Sequence, residues 1–96
     1  MLIENSEIKE NDVITLKLVG GDEVVGRLSS DGSESIVLSK PLLVVMAQQG
    51  FGLMPYILTA DPTRNVSINS THVISKIKTI DAVAKEYIKQ TTGLVI

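Results

Sequence analysis

The chain has no cysteine, so it can form neither a disulfide framework nor a thiolate metal site. Histidine is nearly as scarce. His72 is the only one, and it stands beside Thr71 at the start of an extended run. A nucleophile, base and orienting acid built on it would need Ser70 or Ser75 and a distant carboxylate. A histidine on a turn or strand surface is the ordinary reading. One histidine also falls short of the three or four convergent ligands that a metal site requires. The acid pairs Asp22 with Glu23 and Asp31 with Glu34 fall in turn sequences, where solvated carboxylates are common. Gly50-Phe51-Gly52 leads into a strand pattern and opens no helix, so it does not read as a phosphate loop. No catalytic residue, metal or cofactor is expected, and the chain does not read as an enzyme.

Long apolar runs are missing too, which leaves no candidate membrane span. Residues 1–12 carry Glu4, Glu7, Lys9, Glu10 and Asp12, too many charges for a signal peptide. A soluble, cytoplasmic protein is expected. Its 96 residues suffice for one domain and are too few for a second core with a linker.

The formal charge of −2 argues against a protein that coats nucleic acid non-specifically. The charge is unevenly spread, however. Residues 1–40 hold eight acids and four bases, a net −4, whereas residues 41–96 hold three acids and five bases, a net +2. One face can therefore be basic on a mildly acidic molecule. The apolar content is 44 %, and a domain of this length buries only about 60–70 % of its unfolded surface. Leftover apolar side chains point to a subunit interface, so an oligomer is expected.

Short extended runs separated by turn signals fill most of the chain. Residues 13–19 alternate, with Ile14, Leu16 and Leu18 on one face and Thr15 and Lys17 on the other. Gly20-Gly21-Asp22 supplies a hairpin turn. The return strand puts Val24, Gly26 and Leu28 on one face and Glu23, Val25 and Arg27 on the other. After a polar turn at 29–35, residues 36–46 form an apolar run, bulged or at an edge where Pro41 lacks a donor. Residues 48–52 read as a loop, and residues 53–60 as a strand that Asp61-Pro62-Thr63 interrupts and residues 65–69 resume. Residues 72–78 form the last strand. The tail changes period: Ile80, Val83, Ala84, Tyr87 and Ile88 recur at helical spacing. Thr79 or Asp81 is placed to cap that helix and Gly93 to stop it. The strands over 53–69 and 72–78 are expected to leave unpaired edges, which Lys76 and Lys78 guard only in part.

A glycine inside a return strand adds no packing, but it permits the sharp bend that closes a very small barrel. On these residues the sequence resembles the Sm/LSm family, including its bacterial Hfq branch. That family's first motif sets a turn glycine and a bending glycine five residues apart. A large apolar residue, a loop Asp and an Asn opening an apolar strand follow. Gly21, Gly26, Leu28, Asp31, Ser35, Ile36 and Leu38 fall on that pattern. Ile68-Asn69-Ser70 followed by Val73-Ile74 corresponds to the second motif. Ser30 stands where family members stack an aromatic on a base, Ser35 replaces the Asn, and Asn69-Ser70 replaces an Arg-Gly pair. The helix follows the strands instead of preceding them. This divergence suits a phage-encoded or environmental bacterial protein.

The resemblance implies a mostly β fold. It would be a small five-stranded, strongly bent Sm-like (SH3-type) barrel over 13–78, to which the helical spacing adds a C-terminal helix over 80–92 and the length a limit of one domain over 1–96. It also implies a homo-oligomeric ring of about five to seven subunits that binds RNA or single-stranded DNA at its pore. Residues 31–35 and 69–72 would face each other there. Asp31, Ser35, Asn69, Ser70 and His72 are the base-facing candidates, and Arg27, Arg64, Lys76 and Lys78 the phosphate-binding ones. The competing expectation is a structural or protein-adaptor ring without nucleic-acid binding. A basic patch on one ring face favours the first, and uniformly acidic or apolar faces favour the second.

Overall fold

A computed structural model describes residues 8–92, so Gly93 and Leu94-Val95-Ile96 lie outside the described residues. Six strands precede one helix: β1 (Val13–Leu18), β2 (Glu23–Asp31), β3 (Ser35–Ala47), β4 (Gly50–Pro55), β5 (Asn65–Asn69), β6 (Val73–Lys78) and α1 (Asp81–Thr92). All pairings are antiparallel. The ladder runs β4-β3-β2-β1-β6, and β5 joins it through β3 alone.

The alternation in β1 sets the inner face. Ile14 and Leu16 are fully buried and Leu18 nearly so, and they pack with Val24, Leu28, Ile36, Leu38 and Ile68. The opposite face carries a smaller cluster, in which Val25 and Leu42 lie against Tyr87 of α1, with Val13, Val44, Leu53 and Val83 around them. The sheet is thus packed on both sides, inward by strand residues and outward by the helix.

The partners of β2 change along its length, and its ladder to β3 is irregular at two points. Residues 23–27 pair with β1, while the ladder to β3 runs on to Asp31 with register shifts near Gly26 and Ser29. A β-carbon on Gly26 would lie 3.0 Å from Leu38 Cβ, so the glycine allows the two strands to approach where the register shifts. Opposite it, the bulge takes up Lys40 and Pro41, as the missing proline donor leads one to expect. Lys40 adopts a positive φ of 50° there, a conformation uncommon for a side chain of its size.

Two expectations need correcting. The sheet has six strands instead of five, and it is not closed into a barrel. β3 is long enough, at 13 residues, to hold two strands on one edge: β4 pairs with residues 42–47 and β5 with residues 35–39. Between them the expected strand stops at Pro55, and residues 56–64 form turns. In one of these, Asp61 accepts hydrogen bonds from the Thr63 amide and hydroxyl at 2.9 and 2.7 Å. The sheet stays open between β5 and β6: the 3₁₀ turn Ser70–His72 links them, and among the described residues no ladder joins them. The turn's polar groups are taken locally: Asn69 Oδ1 accepts from the Thr71 amide at 3.0 Å, and the Ser70 amide donates to Glu34 O at 3.0 Å.

Smaller differences concern bounds. β2 continues through Ser29 and Ser30, and the turn to β3 is confined to residues 32–34. Gln48-Gln49 forms a tight turn, so β4 starts at Gly50 and not at Leu53. Ile80 precedes the helix and is 69 % exposed. Thr79 is not the cap, since its hydroxyl bonds Thr15 Oγ1 at 2.8 Å.

Candidate functional site

Two turns meet at one end of the sheet. Ser35 and Asn69 are direct partners in the β3–β5 ladder. The Ser70 hydroxyl donates to Gly32 O at 3.3 Å, and its amide to Glu34 O. Segments 31–35 and 69–71 therefore form one polar surface. On one side lies a shallow depression lined by Ser33, Glu34, Ser35, Ser67, Asn69 and Thr71. On the other is an open groove of about 510 Å³, which runs between the 31–33 turn and β6 and includes Ser70, Ser75 and Lys76.

Asn69 is oriented by its neighbours. Its Oδ1 accepts from both the amide and the hydroxyl of Thr71, so the amide nitrogen is the group left to donate outward. His72 is exposed and ends the 3₁₀ turn. Its carbonyl accepts from the Val19 amide at 2.9 Å, fixing the start of β6 against the end of β1.

The four basic candidates are dispersed. Lys76 reaches across the groove to Asp31, Nζ to Oδ2 at 2.6 Å, and Lys78 lies 3.7 Å from Asp12. These two lysines pair in register with Leu16 and Ile14, so they leave the sheet on its core-facing side, at the open rim. Arg27 is bound elsewhere: its Nη1 donates to Asn11 O at 2.8 Å. Arg64 lies in the exposed turn after β4, where its amide donates to Asp61 O at 3.1 Å. The structure thus gathers Asp31, Ser35, Asn69, Ser70 and Lys76 and leaves Arg27 and Arg64 apart from them.

Sequence reasoning missed Ser67 and Ser75 as lining residues. Ser67 had a signal, since it lies between the inward Val66 and Ile68 and so shares the outer face with Asn65 and Asn69. It also missed the hydroxyl of Tyr87. That oxygen donates to Ser39 O at 2.7 Å and accepts from the Arg27 amide at 3.2 Å. It bridges the β2–β3 ladder at the bulge, much as a buried water would. Burial pushes the phenol above the ordinary tyrosine value, while the Arg27 amide and charge pull it partly back.

Among the described residues, no group of three or more His, Cys, Asp or Glu is placed to hold a metal ion, and no helix is long and apolar enough to cross a membrane. Comparison with models of known protein families finds no match, and comparison with curated proteins finds none.

Proposed function

We propose that this chain is a divergent Sm-like subunit that assembles edge to edge into a ring and binds RNA or single-stranded DNA without covalent chemistry. The observation that carries the reading is the meeting of segments 31–35 and 69–71 in one polar surface, next to strands with unpaired edges. Among the described residues, β4 and β5 pair only with β3, and β6 only with β1. Phe51 on β4 and Ile74 and Ile77 on β6 are exposed at 39, 62 and 63 %. Unpaired edges carrying apolar side chains favour strand addition. Pairing of one copy's edge with a different edge of the next is heterologous, and it must close into a ring or run on as a fibre. A ring repeats each short polar contact, so weak sites add through effective concentration.

One observation favours the adaptor reading instead. Lys17, Lys76 and Lys78 each lie within 4 Å of a carboxylate, which lowers the positive field a polyanion would meet. Titration of labelled oligo-U, oligo-A and single-stranded DNA at about 50 and 200 mM salt separates the two. The nucleic-acid reading expects binding at the lower salt that weakens steeply at the higher. Absence of binding at both leaves a protein-binding ring.

A further inference from the structure

One ion pair joins two segments that the sheet leaves unpaired. Asp31 ends β2, Lys76 sits within β6, and among the described residues β6 pairs only with β1. Their 2.6 Å contact is the shortest of the three ion pairs among the described residues, the others being 3.5 and 3.7 Å. It spans the open groove at the candidate surface, and Lys76 is the only cationic residue lining that groove among the described residues. Both side chains keep contact with water, at 28 and 34 % exposure, so the pair can open without leaving a buried charge behind.

From this geometry we infer that Asp31 is a built-in competitor for the Lys76 ammonium, masking an anion site that a nucleic-acid phosphate must unmask. The inference rests on the nucleic-acid reading and specifies how that site is regulated. An ammonium is a compact charge with three donors, and carboxylate and phosphate oxygens offer it the same kind of charge-assisted hydrogen bond. A single weak anion gains little by displacing a tethered carboxylate. A strand that presents phosphates to several subunits at once displaces several. The masking therefore discriminates against small anions and in favour of a polymer.

The test compares binding of labelled oligo-U by the wild type, Asp31→Asn, Lys76→Ala, the double variant and Glu86→Gln. Glu86→Gln makes the same change of charge on α1, outside the candidate surface and without touching the pair. Asp31→Asn is expected to bind about 2- to 5-fold more tightly per subunit, the range an exposed ion pair is worth. Its affinity should also fall more steeply with salt, by about 0.7 in log–log slope for each further phosphate of a single strand that the protein neutralises. The double variant should lose the gain, and Glu86→Gln should stay within about twofold of wild type, as a screened surface charge does. Asp31→Ser, checked by thermal melting, replaces Asp31→Asn if that variant is unfolded. Equal binding by wild type and Asp31→Asn, or a gain that persists without Lys76, overturns the masking and leaves the nucleic-acid reading standing. No binding by any of the proteins overturns both.

Discussion

The two faces of the sheet are packed by different means. The inner face is held by side chains that do one thing: Ile14, Leu16, Val24 and Leu38 are fully excluded from solvent and carry no polar atoms. The outer face depends on α1, whose only buried residue is Tyr87, and that side chain must satisfy a bulge in the ladder as well as fill space. An apolar cluster tolerates changes of pH and salt. A face pinned by a phenol bridging Ser39 and Arg27 does not share that indifference, because its hydrogen bonds depend on a proton.

This difference orders the expected effects of mutation. Leu38→Ala is expected to cost about 2–5 kcal/mol in chemical denaturation, as emptying a buried leucine site does. Gly26→Val attacks the same contact from the other strand, since its β-carbon would press on Leu38. A cost of at least about 1–3 kcal/mol is expected, together with loss of the wild-type assembly. A variant with the wild-type melting temperature would show that the close approach of β2 and β3 is unimportant.

Tyr87→Phe is the corresponding change on the outer face. It keeps the ring and removes the bridge, leaving the Arg27 amide and Ser39 carbonyl without that partner, at a cost of about 1–3 kcal/mol. The pH dependence has a definite sign. A phenol whose pKa is raised by folding favours the folded state while protonated. Its contribution is complete below the ordinary value of 10.0 and is lost as pH rises through the folded value. Melting curves from about pH 8 to 11, which bracket the ordinary tyrosine value, should show an alkaline loss in the wild type that is smaller in Tyr87→Phe. The smallest effect is expected of Lys78→Ala, within about 0.5 kcal/mol, because its pair with Asp12 is exposed. A larger cost would mean that the open rim is held by charge.

The parts of the fold legible in the sequence are those set by near neighbours. Ile14, Leu16 and Leu18 alternate, so the inward face of β1 could be read directly. Val83 and Tyr87 recur at one-turn spacing, which marked the helix. Pro41 marked the bulge because it lacks a donor. What escaped depends on contacts between distant residues. Whether β6 closes onto β5 is decided across the sheet, and nothing in the local pattern of residues 65–78 distinguishes a closed ladder from an open one. Ile57 and Leu58 looked like a continuing strand, yet Pro55 and Pro62 flank them and the chain turns. The meeting of segments 31–35 and 69–72 was legible only through the family resemblance. The pairing of Lys76 with Asp31 was not, since it requires knowing that Leu16 and Lys76 are partners in the ladder.

Assembly through the free edges of β4, β5 and β6 is the claim on which the proposed function rests, and native mass spectrometry at micromolar concentration measures it most directly. The account predicts one closed homo-oligomer larger than a dimer, which takes up oligo-U without changing its subunit number. A monodisperse monomer, with or without oligo-U, would contradict it.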